Sequence, residues 1–360
     1  MSCVSFLLAL ALGCSALPLP PHDDAASATE APSTTALGPR PLTPAHVDAI
    51  ALAGDDSGIY WTSPANELWV LPAGSPIPVR LASDPGVTDS CSTPTPPLVA
   101  ASHVFWVAGN RATLHRTRKD GTGDDRIAIT TSGNHFTTDG SAIYWTALAS
   151  DEAKDGSVVL SLREDAAADA APTALVHTAP YDGISSLAAV GGALYWTPYP
   201  TLATIYYADI WAGTVEALAG GGAGAKLPGP QSPYALTSAG GDVLFAFYPD
   251  RFTTGLAHFT TPGEPQIVAT LPPDDGFLAG LSAAGGWLLA TTYPSDYSCG
   301  QPPVLHLYAT PLAGGAPKLL ETALRTPAAA APQGIVFVDA ARRLMALPAD
   351  QIERTVSPVP

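Results

Sequence analysis

Charge is scarce in this chain, and positive charge scarcest. Only 13% of the 360 residues are Asp, Glu, Lys or Arg, and 16 basic residues stand against 32 acidic ones, a formal net charge of −16. A balance of that sign repels phosphate backbones and anionic headgroups, which excludes nucleic acid as a partner class. The one basic cluster, Arg116-Thr117-Arg118-Lys119, is followed by Asp120, Asp124 and Asp125 and reads as a solvated hairpin whose charges cancel locally. Long amphipathic helices are missing: no run of apolar residues at i, i+3, i+4 and i+7 lasts three turns. The eight His residues are scattered, without the close pairing that a zinc hydrolase needs. No Gly-x-Ser-x-Gly elbow offers a nucleophilic serine, and no Gly-x-Gly-x-x-Gly opens a helix. Cysteine is limited to four residues, two of them within the first 14.

What the chain has instead is a repeated strand. Ser57-Gly58-Ile59-Tyr60-Trp61-Thr62 returns as His103-Val104-Phe105-Trp106-Val107, Ser141-Ala142-Ile143-Tyr144-Trp145-Thr146 and Gly192-Ala193-Leu194-Tyr195-Trp196-Thr197. Weaker copies are centred on Ala246, Ala290 and Val338. Taking these three with Trp61, Trp106, Trp145 and Trp196 as equivalent, the intervals are 45, 39, 51, 50, 44 and 48 residues. A period in the forties made of strands and turns, in a chain with 33 Gly and 37 Pro, is the signature of an all-β single β-propeller. The repeats give seven four-stranded blades.

In the first blade Val47 to Ala51 reads as the inner strand and Gly54 to Gly58 as the turn after it. In the fourth, Thr204 to Ala208 and Thr214 to Leu218 read as the outer strands, followed by a flexible Gly220 to Gly224 connector. The seventh has a weak inner strand, Pro327 to Pro332, so ring closure borrows a strand from the N-terminal side. Neighbours in a strand point to opposite faces, so Tyr60 and Trp61 serve two different inter-blade interfaces. Large aromatic rings fill the wedge between radiating sheets.

Tyr60-Trp61-Thr62, Tyr144-Trp145-Thr146 and Tyr195-Trp196-Thr197 resemble three letters of the YWTD tetrad of YWTD and NHL-like propellers. The fourth place holds Ser63, Ala147 and Pro198, so the inter-blade bonding which that family builds on Asp is not expected here. Propellers of this kind mostly bind proteins or small ligands, and some are enzymes; the resemblance implies a class of function and no reaction.

Residues 1–16 read as an export signal, with a nine-residue apolar core from Val4 to Leu12 that is too short to span a bilayer. Ala11-Leu12-Gly13-Cys14 resembles a bacterial lipobox, which implies acylation of Cys14; cleavage after Ala16 is the alternative. Residues 17–44, rich in Pro, Ala, Ser and Thr, read as a disordered tether, and 45–360 as the propeller. The expected location is the cell envelope, by lipid anchor, or the extracellular space.

A ligand site is expected at the channel mouth, where Asp48, His135, Asp182, Tyr234 and Asp275 enter the inner strands. Converging carboxylates suit Ca²⁺, whereas the plain reading is that Asp and His open strands because they suit turns. Cys91 and Cys299 fall in loops of one face and form either a disulfide or two free thiols. Together these readings describe an exported, monomeric binding propeller that meets a protein or a small extracellular ligand with loops of one face. It touches a membrane only through its anchor. A metal-dependent propeller hydrolase or lactonase with its site at the channel mouth is the alternative.

Overall fold

A computed structural model describes residues 38–85, 95–108, 113–128, 135–148, 156–179, 182–200, 209–230, 232–250, 253–260, 264–272, 275–294 and 304–355. Cys14, Cys91 and Cys299 lie outside these residues. No helix among those described is long and apolar enough to cross a membrane. The strands form seven four-stranded antiparallel sheets. The first strand of the chain, β1 (Arg40–His46), belongs to the last blade. Blade 1 is β2 (Ala51–Asp55), β3 (Gly58–Thr62), β4 (Glu67–Pro72) and β5 (Val79–Ser83). Blade 2 is β6 (Leu98–Val99), β7 (His103–Ala108), β8 (Thr113–Arg118) and β9 (Asp124–Ala128). Blade 3 is β10 (Phe136–Thr138), β11 (Ala142–Leu148), β12 (Ser157–Arg163) and β13 (Thr173–His177). Blade 4 is β14 (Asp182–Val190), β15 (Ala193–Pro200), β16 (Trp211–Thr214) and β17 (Ala225–Lys226), with α1 (Val215–Ala219) before its last strand. Blade 5 is β18 (Pro233–Ala239), β19 (Asp242–Phe247), β20 (Gly255–Thr260) and β21 (Gln266–Thr270). Blade 6 is β22 (Asp275–Ala284), β23 (Trp287–Pro294), β24 (Leu305–Pro311) and β25 (Lys318–Leu324). Blade 7 is β26 (Ala329–Ala331), β27 (Gly334–Val338), β28 (Arg343–Leu347) and, outermost, β1.

The second strand of each blade explains the repeat. Five begin at the pair that closes the first hairpin: Asp55↔Gly58, Val190↔Ala193, Ala239↔Asp242, Ala284↔Trp287 and Ala331↔Gly334; β7 and β11 begin one residue before it, at His103 and Ala142. One residue further on stand Ile59, Val104, Ile143, Leu194, Val243, Leu288 and Ile335, all fully buried. Two further on again stand Trp61, Trp106, Trp145, Trp196, Phe245, Ala290 and Phe337. The aromatic position therefore falls on Phe245 and Phe337, one residue before the Ala246 and Val338 that the sequence pattern suggests. The weak copies hide the match because Phe replaces Trp there.

Alternation assigns the faces. Tyr60 packs with Val104 and Trp106 of blade 2, Phe105 with Ile143 and Trp145, Tyr144 with Leu194 and Trp196, and Tyr195 with Val243 and Phe245. Leu244 then meets Leu288 and Ala290, Leu289 meets Ile335 and Phe337, and Val336 meets Ile59 and Trp61. The last contact closes the ring with the same chemistry as the other six. Tyr and Trp of one pair thus serve opposite interfaces, as their adjacency requires.

Four expectations need correction. The propeller begins at Arg40, because β1 takes in residues 40–44, which read as tether. Pro41 and Pro44 lack the N–H that a central strand needs and are tolerated on an outermost strand. The inner strand of blade 1 is Ala51–Asp55; Val47 and Ala49 are buried in the connector before it, which is why that stretch looked strand-like. Thr214 is a helix cap, with Oγ1 accepting from Ala217 N at 3.3 Å, and Gly220 ends α1, so the outer strand of blade 4 moves to Ala225–Lys226. Gly224 there allows close approach: a Cβ would lie 2.2 Å from the Trp196 ring. The basic cluster is charge-balanced but not fully solvated. Arg116 is buried, bound to Asp125 and to the carbonyls of Glu164 and Ala166, while Lys119 pairs with Asp55.

At the place of the tetrad's Asp, after the Thr, this chain has Ser63, Ala147 and Pro198, and it puts carboxylates in first hairpin turns instead. Asp139 accepts from the Ser141 and Ala142 amides at 2.9 Å and from the Tyr144 hydroxyl at 2.7 Å. In blade 1, Asp55 holds Ser57, whose Oγ lies 2.7 Å from the Tyr60 hydroxyl. Burial pushes the Asp139 carboxyl up, but these hydrogen bonds outweigh it and hold the group below the usual carboxylate range. A depressed folded value contributes stability that is present above the unfolded value, about pH 4, and is lost as pH falls through the folded one. Asp139→Asn should therefore flatten the acid limb of a melting-temperature profile below about pH 4. Tyr144→Phe should cost roughly 1 kcal/mol by urea unfolding at pH 7, solvent screening of the partly exposed carboxylate included.

Candidate recognition face

Each inner strand starts on one face of the ring, called the upper face here. Connectors between blades and the turns joining second to third strands lie on it; the two other turns of each blade lie on the lower face. Asp48 sits in the connector before β2 and makes an exposed ion pair with Arg342, 2.8 Å away in the second turn of blade 7. That contact holds it beside the middle of a blade rather than at the axis. His135 precedes β10, and its carbonyl accepts from Thr146 N at 3.2 Å. Asp182 opens β14 opposite Pro200, and Asp275 opens β22 opposite Pro294; their side chains lie outside the description. Tyr234, second in β18, stacks on Tyr248 with centroids 4.1 Å apart, its hydroxyl 3.1 Å from Thr254 Oγ1. Burial pushes the Tyr234 phenol above its ordinary value. The five positions share the upper face, but Asp48 and Tyr234 are occupied by partners within the fold.

The ring is not uniform at this face. β2, β6, β10 and β26 pair with their neighbours without a register shift. β14 is shifted between Ile184 and Ser186, and β18 between Pro233 and Ala235. β22 is shifted twice, between Asp275 and Leu278 and again between Leu278 and Gly280. Each shift lies in the upper half of its strand. Bulges turn side chains away from the ladder and concentrate at binding sites and barrel rims. Here they leave Phe277 73% exposed beside Asp275, and place Ser185 Oγ 2.7 Å from Thr197 Oγ1. Phe277 was not singled out in the sequence, where only Asp275, two residues before it, is marked as entering an inner strand.

The lower face offers less chemistry. A cleft of about 580 Å³ lies among the first turns of blades 6 and 7 and Gly54. Its walls are Ala, Gly and Pro apart from Gln333 and Asp350, because the inner strands converge: a Cβ on Gly54 would stand 2.8 Å from Ala331 Cβ. Elsewhere on this face, at blades 2 and 3, Ser102, His103 and Glu164 meet in the composition of a catalytic triad but not in its arrangement. Glu164 Oε1 accepts from the Ser102 and His103 amides and lies 2.9 Å from Ser102 Oγ and 3.2 Å from His103 Nδ1. Serine and carboxylate share one imidazole nitrogen, so no relay runs through the ring. The cluster ties blade 3 to blade 2. His115 is likewise structural, stacked on Trp106 at 4.4 Å, with Nδ1 2.8 Å from Asp124 and Nε2 2.9 Å from Asp84 of blade 1. Among the described residues, no three His, Cys, Asp or Glu side chains are grouped to hold a metal ion.

No protein-family model matches the chain, and no curated protein matches it. Among solved structures it is similar to an oligogalacturonate lyase from Vibrio parahaemolyticus, with 11% identity over 89% of this chain and 96% of that one and a TM-score of 0.56. A chain of the mitotic checkpoint complex gives 10% identity, 85% and 92% coverage and a TM-score of 0.54. A puromycin-hydrolyzing peptidase of Mycobacterium tuberculosis gives 15% identity and a TM-score of 0.52, with 88% of this chain matching 55% of that one. At these identities the likeness is one of fold.

Proposed function

We propose that this chain is an exported binding propeller whose recognition surface is the upper face of blades 4 to 6. The observation that carries the reading is the run of three consecutive bulged inner strands, which present an exposed Phe277 on a ring that is otherwise regular there. The Tyr-Trp-Thr resemblance to YWTD-type propellers supports the same class. Residues 1–16 and Cys14 support export and acylation, and the occupant is a protein or small ligand outside the cytoplasm. Mass spectrometry of the mature N-terminus tests the anchor: acylated Cys14 supports it, and a free terminus at Leu17 makes the protein soluble and secreted.

A photo-crosslinking residue at position 277, compared with one at Ile77, tests the face. Ile77 is 68% exposed, and it lies in a lower-face turn. Adducts formed from 277 and not from 77 support the reading; equal labelling, or labelling only from 77, sinks it. The second reading, a metal-dependent hydrolase, draws on Asp182 and Asp275, which open two inner strands of the same three blades. Calorimetric Ca²⁺ binding that disappears in Asp182→Asn and Asp275→Asn would favour it.

A further inference from the structure

Arg325 begins the connector from β25 into β26, with its amide donating to Val338 O at 2.7 Å. Its side chain is partly buried, and its Nε is out of water with no hydrogen-bond partner. Among the described side chains, Arg80, Arg116, Arg118, Lys119, Arg126, Arg163, Lys226, Arg342 and Arg343 all pair with carboxylates. Lys318 lies over the Trp287 ring. Arg40 also lacks a carboxylate but is exposed on the outermost strand. In a chain with twice as many acids as bases, this guanidinium pairs with no acid, and its two terminal nitrogens, which unlike Nε are not shut off from solvent, are open to a ligand.

A second observation brings the strand that carries Phe277 to the same corner. Gly280 of β22 lies against Pro327, since a Cβ there would stand 2.8 Å from Pro327 Cβ. Ala328 N also donates to Thr291 Oγ1 at 3.1 Å. The bulged stretch of β22 and the Arg325 connector therefore run together on the upper face. Phe277 is three residues above this contact and Arg325 two, each within about 10 Å of it along the chain.

We infer that Arg325 and Phe277 are the two halves of a site for a carboxylate carried on a body with a flat or apolar face, an aryl ring or the C–H face of a sugar. The planar fork of the guanidinium matches a carboxylate with two parallel hydrogen bonds, and the phenyl ring receives the body behind it. The inference rests on the recognition face proposed above and names the ligand class for its blade 6–7 corner. The carboxylate source is either an acylated amino acid or a sugar acid.

Hippurate is the probe for the first source and glucuronate for the second, each titrated into the full chain and followed by NMR. A ligand of about thirteen non-hydrogen atoms should bind with a Kd near 1 mM. Arg325→Gln should weaken binding tenfold or more, Arg325→Lys less, and Arg40→Gln not at all. Hippuramide, which lacks the charge, should lose as much against the unaltered protein, an arm that needs no variant to fold. Binding of hippurate or of glucuronate that depends on Arg325 supports the site and identifies the source. No binding of either at 20 mM ligand (roughly twentyfold the expected Kd), or binding unchanged in Arg325→Gln, overturns it. If the probes fail while position 277 still crosslinks, the ligand class is wrong and the face stands.

Discussion

A chain that starts at Val47 should melt at least 10 °C or so below one that starts at Gly38, the largest effect expected for this protein. The two truncations differ only by β1 and its lead-in, so the comparison isolates the closing strand. β1 pairs with β28 through Arg40↔Ala346 and Pro41↔Met345 and brings Leu42 against the cluster shared by blades 7 and 1. Without it, blade 7 keeps three strands from the C-terminal end of the chain and exposes the edge of β28. Blade 7 would then be held to blade 1 by side-chain packing alone, with no strand from the N-terminal side woven into it. Differential scanning calorimetry reads the difference. Equal melting temperatures would mean that the Val336, Ile59 and Trp61 contact is enough to close the ring.

Trp145→Ala should cost about 3–5 kcal/mol, on the order of 10 °C in melting temperature, whereas Trp145→Phe should cost only about 1–2 kcal/mol. Trp145 is fully buried among Phe105, Leu114 and Ile127 of blade 2, so truncation opens a cavity that two rigid sheets cannot collapse to fill. Phenylalanine is acceptable because blades 5 and 7 hold Phe245 and Phe337 at the equivalent place. The Trp145 Nε1 has no hydrogen-bond partner, so its removal offsets part of the lost packing. Trp106→Phe should cost more than Trp145→Phe, since Trp106 Nε1 donates to Thr117 Oγ1 at 2.8 Å. Guanidinium unfolding of the three variants checks the order. If Trp106→Phe proved the milder of the two Phe variants, the indole nitrogens would not be what distinguishes the two sites.

Much of the ring was legible because its signal is local. Four copies of an apolar-aromatic strand at intervals near forty-five residues place four blades, and adjacency of Tyr and Trp in one strand already implies opposed interfaces. The misreadings have physical causes. Pro41 and Pro44 look like linker because proline removes a donor, and only an outermost strand can do without it. Val47 and Ala49 look like a strand because burial, not pairing, demands their apolar character. Thr214 looks like a strand end, but its hydroxyl caps a short helix. Phe245 and Phe337 escaped alignment because a ring of different size does the same packing.

The candidate surface was far less legible. The sequence marks Asp48, His135, Asp182, Tyr234 and Asp275 as residues that enter inner strands, yet says nothing of which ones the fold uses elsewhere. Arg342 lies 294 residues from Asp48 in the chain and engages it, and no local pattern reports such a partner. By itself, the sequence determined the repeat, the blade chemistry and the face on which the connectors emerge, because period and alternation are properties of neighbouring residues. Tertiary structure alone decided where the inner strands bulge, that Phe277 stands in solvent, and that Arg325 pairs with none of the described acids. Those facts depend on register between paired strands and on contacts between residues distant in the chain.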